Sequence, residues 1–580
     1  MKKQIISIIA SLLCCELFMS CNDGLLDRKP LVDIPEEEVW SDPALVNAFV
    51  TARYHQVGHG WTETMQSSVV DETAHTASRG CEPINQGYVN PSDLGRMNGA
   101  WYGLDYRDWG TEWEQISNCN LFFEKIEDVP FQDEALKKRL KGEVRFIRAL
   151  TYNDLITRWG GVPIITKTYT INNVEEILQQ RRASYKDCID FIISELDIAT
   201  SELPASYTGK DWGRATSVAA LALKSRILLY AASSLMNEGV KSPLVGYTSP
   251  DPQRWHNAVE ATKQAIDIAI ANGYALYDKY GDDVKTNYRQ LFLDTQNSEV
   301  IFCRQGTTSA DGENLSTMDQ TNNPNGYGGW GGACPLQEFV DAFEMADGSV
   351  FSWSNPEHAA HPYDNRDGRF YATVLYDGAP WKGRSLETFY AVDAAGNYIP
   401  KTSGRDTKYG NDGWNASVTG YNIIKYMDET YVCNSGNFAT PKNWIWLRLG
   451  ELYLNLSEAL YECGDEEGAR AALNVIRERA RMPHVTETGI SLLNKIRNER
   501  RIELAFEEHR YYDVRRWKLG EEYLNKTVHG IIIEKHSDGT KTYSPTLVVE
   551  NRKFYDRMYW LPILQTEIDK NHNIKQNPNY

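Results

Sequence analysis

The chain has 580 residues, with 42% hydrophobic and 24% charged residues, an ordinary globular balance for one large core or several domains. A formal net charge of −18 argues against phosphate backbones and anionic lipid surfaces as partners, so no nucleic acid is expected and neutral ligands are favoured. Aromatic residues are plentiful, with 33 Tyr, 17 Phe and 16 Trp.

The chain opens MKKQIISIIASLLCCELFMSC. Lys2 and Lys3 form a basic start, and a short apolar run from Ile5 to Cys15 follows. The run is shorter than a spanning helix needs and reads as a secretory signal. Ser20 directly precedes Cys21, and LFMSC is similar to a bacterial lipobox, although Phe18 and Glu16 depart from the usual pattern. Residues 1–20 then form a leader, Cys21 a lipidation site, and residues 21–35 a polar tether. Several acyl chains on Cys21 would hold a membrane far better than one. No later stretch reaches the roughly 20 apolar residues of a membrane-spanning helix. Of ten cysteines, Cys14, Cys15 and Cys21 belong to leader and anchor. The rest form no CxxC pair, and Cys119, Cys188, Cys303 and Cys463 sit among apolar residues as small hydrophobes.

A helical region spans 36–279. Helices are expected at 36–61, 112–129, 134–160, 184–203, 216–236 and 255–273. In the third of these, Leu140, Val144, Ile147, Tyr152 and Leu155 make an apolar stripe. Gly160-Gly161-Val162-Pro163 stops that helix. The Ala/Leu-rich segment 216–236 reads as buried on all sides. From 280 to 440 Gly, Asn, Asp and Pro recur between short strand-like pieces, 299–305 and 369–378, and such irregular segments tend to carry function. Helix is expected again over 444–480, within a C-terminal helical region of 441–580. Gly464-Asp465 breaks it, Asp465 caps the second helix, and Leu452, Ala459 and Ala471 supply packing positions of a tetratricopeptide-type hairpin.

Chemical signatures are few. The stretch 496–521 interleaves Arg with Tyr511, Tyr512 and Trp517, but Glu499, Glu503, Glu507, Glu508 and Asp513 lie among them. Arg500 with Glu503, Glu507 with Arg510, and Asp513 with Arg516 are three apart, so a helix whose charges bind other helices is expected. His55 and His59 have helical metal spacing without the HExxH glutamate, and His358 and His361 lie in a Pro-flanked loop; no metal or cofactor is expected, a structural calcium being left open. No GxSxG or Walker loop is present. Asp71, Glu72, Asp105 and Asp108 lie near aromatics, which leaves a glycosidase pair open without supporting it.

NNPNGYGGWGGACP (322–335) contains GxGxxG at Gly326, Gly328 and Gly331. A dinucleotide fingerprint needs a strand before it and a helix after it, whereas here NNPN precedes and Pro335 follows. The glycines are better read as a frame that presents Tyr327 and Trp330. A second such stretch, 96–113, offers Asn98, Trp101, Tyr102, Tyr106 and Trp109, with Trp113 starting an apolar helix. Flat rings pair with the apolar faces of sugars, and Gly and Asn neighbours provide no packing face for Trp101 or Trp330.

Taken together, CNDGLLDRKP, EWEQISNCNLFFEKI, EVRFIRALTYNDLITRWGGVPI, WGRATSVAALALKSRILLYAAS, PLQEFVDAFEMADG, NRDGRF, TGYNIIKY, RLGELYLNLSEALYECGD, IRNERRIELAFEEHRYYDVRRW and YWLPILQTEIDKNHNIKQNPNY occur in one order. That order resembles the SusD/RagB family of outer-membrane nutrient-binding lipoproteins. The resemblance implies a mainly α fold, with tetratricopeptide-type helix pairs and a loop-rich ligand-binding region with short strands. It implies capture of oligosaccharide or polysaccharide without catalysis, as the lid of a SusC-like TonB-dependent barrel, by a lipid-anchored protein at the bacterial cell surface. It carries Trp101, Asn98, Tyr327 and Trp330 into an aromatic arc, with Asp71 and Arg79 as polar ligand contacts. Arg79, Arg96 and Arg107 would favour anionic sugars locally. The alternatives are a peptide-binding RagB-like lid and, less favoured, a glycoside hydrolase.

Overall fold

A computed structural model describes residues 36–60, 64–98, 108–306, 317–435 and 440–580. The leader, Cys21, the tether and Trp101 lie outside the described residues.

The expected helices form, and side-chain caps set where most of them begin. Helix α1 (Pro43–His55) starts at Asp42, α2 (Trp109–Lys125) at Asp108 and α3 (Glu134–Trp159) at Asp133. Helix α4 (Tyr185–Glu202) starts at Ser184 and α5 (Ser217–Ala232) at Thr216. Each cap side chain accepts a backbone N–H that the helix leaves unpaired, a contribution of about 1 kcal/mol apiece. Gly160, at φ 75°, ends α3, and Asn272 with Gly273 ends α6 (Gln253–Ala271). Helix α1 stops at His55, so His59 does not share its face.

Packing runs from neighbour to neighbour. Helix α2 lies on α3, α3 on α4, α4 on α5 and α5 on α6. Helix α6 then meets α8 (Leu449–Glu462), which packs on α9 (Glu466–Arg479). Asp465 caps α9 by accepting from Gly468 N. Leu452 and Ala459 are buried as expected, but Ala471 faces solvent and Ala472 occupies the core position. This is a mainly α architecture of stacked helix pairs. Helix α5 is buried nearly all round, as its composition implies.

Two segments depart from the helical expectation. Residues Trp444–Arg448 form a strand, β4, and not the first turn of α8. A continuous apolar run of this length fits a buried strand as well as a helix. Antiparallel pairing with β2 (Val300–Arg304), Cys303 opposite Ile445, decides the matter. Helix also does not run through 496–521: α10 (Gly489–Glu503) ends, and α11 (His509–Arg516) begins after a break. Tertiary partners capture the backbone between them. Lys425 Nζ donates to Ala505 O (2.7 Å) and Phe506 N donates to Glu72 Oε1 (3.2 Å). Phe506 and Glu508 take left-handed conformations there, φ 62° and 66°.

The 280–440 region is loop-rich as expected. After α7 (Val284–Leu293) it holds short helical turns and brief strands around a second apolar core that includes Phe339, Phe343, Phe370 and Trp381. Strand β1 (Thr73–His75) pairs antiparallel with β3 (Ala333–Pro335), which ties the N-terminal region to this core. A long hairpin, β5 (Thr527–Lys535) and β6 (Lys541–Asn551), was not anticipated and flanks the same core.

Candidate functional site

The glycine-rich loop stands on a buried polar segment. Asp319, Gln320, Thr321, Asn322, Asn323 and Asn325 are all at most 1% exposed. Buried polar groups are costly unless bonded, and here the bonds tie several loops to this segment. Asp319 accepts from Asp428 N (2.7 Å) and Thr440 Oγ1 (2.8 Å) and pairs with Lys442 (3.0 Å). Gln320 Nε2 donates to Gly328 O (2.9 Å) and its Oε1 accepts from Asn434 N (2.8 Å). Asn322 Oδ1 accepts from Ala333 N, and Asn323 Oδ1 from Trp381 Nε1. Asn325 Nδ2 donates to Thr407 O (3.1 Å) and Asn411 O (2.8 Å).

The loop above this segment spends its amides inward. Every backbone N–H from Tyr327 to Gly332 donates to a carbonyl between residues 320 and 325. A phosphate cradle needs such donors turned toward the ligand, so the GxGxxG spelling has no nucleotide chemistry behind it. The glycines serve geometry instead. Gly328 and Gly331 have φ of 81° and 57°, and a Cβ on Gly329 would overlap Asn323 O.

Three loops from distant parts of the sequence meet at Gly331. From β1, Thr76 N donates to Gly332 O (3.0 Å) and Thr76 Oγ1 to Gly331 O. The chain then turns through Ser78 and Arg79, both at positive φ, and Arg79 is half-buried. On the other side Asn415 O lies so close to Gly331 that a Cβ there would overlap it. Trp330 and Trp414 therefore flank one backbone contact. Trp330 is half-buried and Trp414 is 76% exposed. Large exposed aromatic surface beside a rigid polar frame is the informative feature of this face.

The remaining expected site residues are put to varied uses. Tyr327 is half-buried, its hydroxyl donates to Trp381 O (2.8 Å), and the Arg384 guanidinium lies 3.8 Å from its ring centroid. Arg384 is fixed by two bonds to Asp406, so one ring face of Tyr327 is already covered by a cation. Asn98 Oδ1 accepts from Trp109 N (3.1 Å) and so helps set the start of α2. Trp109 itself is core, 5.2 Å from the Trp159 ring and edge-on to it.

Asp71 is a correction. It is 1% exposed, bonded to Arg510 (2.8 and 2.9 Å) and paired with Arg501 (2.9 Å). Burial opposes its ionisation, but the two guanidiniums hold the carboxyl well below the usual carboxylate range. It anchors the approach to β1 and offers no oxygen to a ligand. Arg96 is likewise fully buried and donates to Thr64 O, so it does not charge the site surface. Trp414 escaped the sequence reading, although YGNDGWNAS (409–417) has the same Gly/Asn setting as the Trp330 loop. Among the described residues no group of three or more His, Cys, Asp or Glu is arranged to hold a metal ion.

A family model described as the SusD family matches residues 298–580, and one described as starch-binding associating with outer membrane matches residues 25–229. A SusD-like protein of solved structure from Bacteroides fragilis NCTC 9343 is 33% identical, with 95% of this chain and 100% of that chain covered and a TM-score of 0.76. The chain belongs to the SusD family. The SusD-like protein P2 of Formosa agariphila is 24% identical over 100% of both chains. A SusD-like carbohydrate-binding protein of Bacteroides fragilis NCTC 9343, 22% identical, shares the fold with a TM-score of 0.73, covering 92% of this chain and 99% of that one. The SusD family is one of glycan-binding, non-catalytic proteins.

Proposed function

We propose that this SusD-family chain captures glycan on the face where Arg79, Trp330 and Trp414 meet, and passes it to a SusC-like TonB-dependent barrel that it covers as a lid. The carrying observation is the junction at Gly331, where a half-buried and an exposed indole flank one fixed backbone contact. Trp330 and Trp414 stack on sugar faces, and Arg79 donates to hydroxyls, with Trp101 and Asn98 completing the arc. Such contacts give modest affinity because ordered water and ligand freedom offset much of the gain, which suits a carrier that must release its cargo. Cys21 is the lipid-bearing residue that anchors the protein at the outer-membrane surface.

The test is affinity electrophoresis of the mature protein through gels containing amylopectin, laminarin, xyloglucan or galactomannan, with Trp414→Ala and Trp330→Ala alongside. Retardation in one gel, lost in both variants with unchanged melting temperature, is expected. Retardation by none of the four, together with binding of defined peptides, would replace the glycan reading with a peptide one. Co-purification of a TonB-dependent barrel with the tagged protein from outer membranes checks the lid role. Loss of palmitate labelling in Cys21→Ala checks the anchor.

A further inference from the structure

The segment that carries Trp414 carries more exposed aromatic surface than the site above uses. Tyr390, Tyr398 and Tyr409 form a cluster, with ring centroids 5.2 Å apart for Tyr390 and Tyr398 and 5.8 Å for Tyr390 and Tyr409. Tyr390 is the inner ring, on a short strand whose partner in register is Glu534 of β5. Tyr398 and Tyr409 are the outer rings, 39% and 37% exposed. Lys408 Nζ lies 5.3 Å from the Tyr409 ring centroid and 5.9 Å from that of Tyr390. The segment doubles back tightly: Gly410 lies against Arg405 O, and Gly413 against Lys408 O, with no room for a Cβ at either. Tyr409, next to Lys408, and Trp414, next to Gly413, therefore leave one rigid fold at neighbouring points. Asn325, from the buried polar segment, holds that fold in place.

We infer that Tyr398 and Tyr409 form a second contact for the same ligand, and that the ligand is an extended neutral polysaccharide spanning from Trp330 and Trp414 to this cluster. The inference rests on the glycan reading above. Rings held at fixed spacing lose little freedom when a sugar stacks on them. A contact of this kind is weak alone, but once a chain is held at Trp414 the second contact becomes intramolecular and its effective concentration is high. Binding then strengthens with chain length. The cation beside the cluster is a hydroxyl donor, and the exposed Asn411 and Asp412 of the same turn are acceptors, as a neutral sugar requires.

Two ligand lengths separate this inference from its foundation. The mature protein is titrated by calorimetry with amylopectin, laminarin, xyloglucan and galactomannan, and with the trisaccharide prepared from each. For the polysaccharide that binds, affinity per chain is expected to exceed that of its trisaccharide by about tenfold or more. The double variant Tyr398→Ala/Tyr409→Ala should bring the polysaccharide down to the trisaccharide value and leave trisaccharide binding intact. Trp414→Ala should weaken both. A double variant that keeps the full length dependence overturns the inference and leaves the glycan reading standing, as does a wild-type protein that binds both lengths equally. Binding of none of the four overturns both. The outer rings lie at the surface, so an unchanged melting temperature is expected for the double variant, and Lys408→Glu supplies an independent reading of the same cluster.

Discussion

Asp71 and Glu72 show how far neighbouring side chains can diverge. Both are buried carboxylates, yet Arg501 and Arg510 keep Asp71 ionised, whereas burial and then the charge of Asp71 push Glu72 up to about 8. The Phe506 N–H that Glu72 accepts opposes the rise only in part. Glu72 is thus protonated in the folded protein at neutral pH, and its ordinary value of 4.5 applies in the unfolded chain. A raised carboxyl pKa means that the native state holds the proton more tightly. The stability that this carboxyl contributes is therefore greatest below 4.5 and is lost as pH rises through about 8. Glu72→Gln keeps an acceptor for Phe506 and removes the titration. The variant should match the wild type near pH 5 and be the more stable near pH 9, as urea denaturation at the two values would show; equal stability at pH 9 would place the proton elsewhere. At this scale the sequence was partly legible. The Gly and Asn neighbours of Trp330 point to exposure, whereas the ring is half-buried; Trp414, in the same setting, is the exposed one. Asp71 could not be read correctly, since an aspartate facing a ligand and one facing arginines more than 400 residues away have the same local sequence.

The elements were legible wherever local chemistry fixes them. Caps at Asp108, Asp133, Ser184, Thr216 and Asp465 and stops at Gly160 and Gly273 mark helix ends in the sequence itself. The β5–β6 hairpin was equally marked, by Asp538-Gly539 between strand-like runs, with Gly539 at φ 89°. Strand β4 and the break before α11 were not, because each is decided by a distant partner: β2 in one case, Lys425 and Glu72 in the other. The junction at Gly331 belongs to this scale as well, since it sets one loop against another. Gly331→Ala adds a Cβ at positive φ and directly against Asn415 O, which must displace the Trp414 loop. Strain of about 1–3 kcal/mol is expected, together with weaker glycan binding, although neither indole has been touched. Denaturation and calorimetry on the same sample would check it. Unchanged affinity would mean that the spacing of Trp330 and Trp414 does not matter.

Across the whole molecule, the helical stack and the loop-rich core are joined by buried charge. Arg448, at the end of β4, bonds to Glu299 (2.7 Å), to Glu503 at the end of α10 (2.8 Å) and to Glu507 (2.7 and 2.9 Å). Arg369, from the loop-rich region, reaches Glu503 as well (3.0 Å) and is fixed by Asp367. Arg479 of α9 adds Glu299 and Glu503. The acidic and basic residues of 496–521 thus cancel mainly through tertiary contacts. Of the three close pairs expected along the helix, Asp513 with Arg516 forms (2.9 Å), while Glu503 and Glu507 turn to Arg448, and Arg510 to Asp71. Desolvating so many charges is expensive, and the arrangement is tolerable only because nearly every oxygen is bonded. Removing one member therefore costs more than the pair contributed. Arg448→Met leaves Glu299, Glu503 and Glu507 short of a cation and should destabilise the fold by about 3–5 kcal/mol. The loss should also be uneven. Without Arg448 the link between the loop-rich core and α10 weakens, while the helix-on-helix packing of α2 to α6 is untouched. Hydrogen exchange should then show a larger acceleration over the wild type in residues 317–435 than in α3 or α5. Uniform acceleration would mean that the two cores unfold as one unit and that the network stabilises the fold without dividing it.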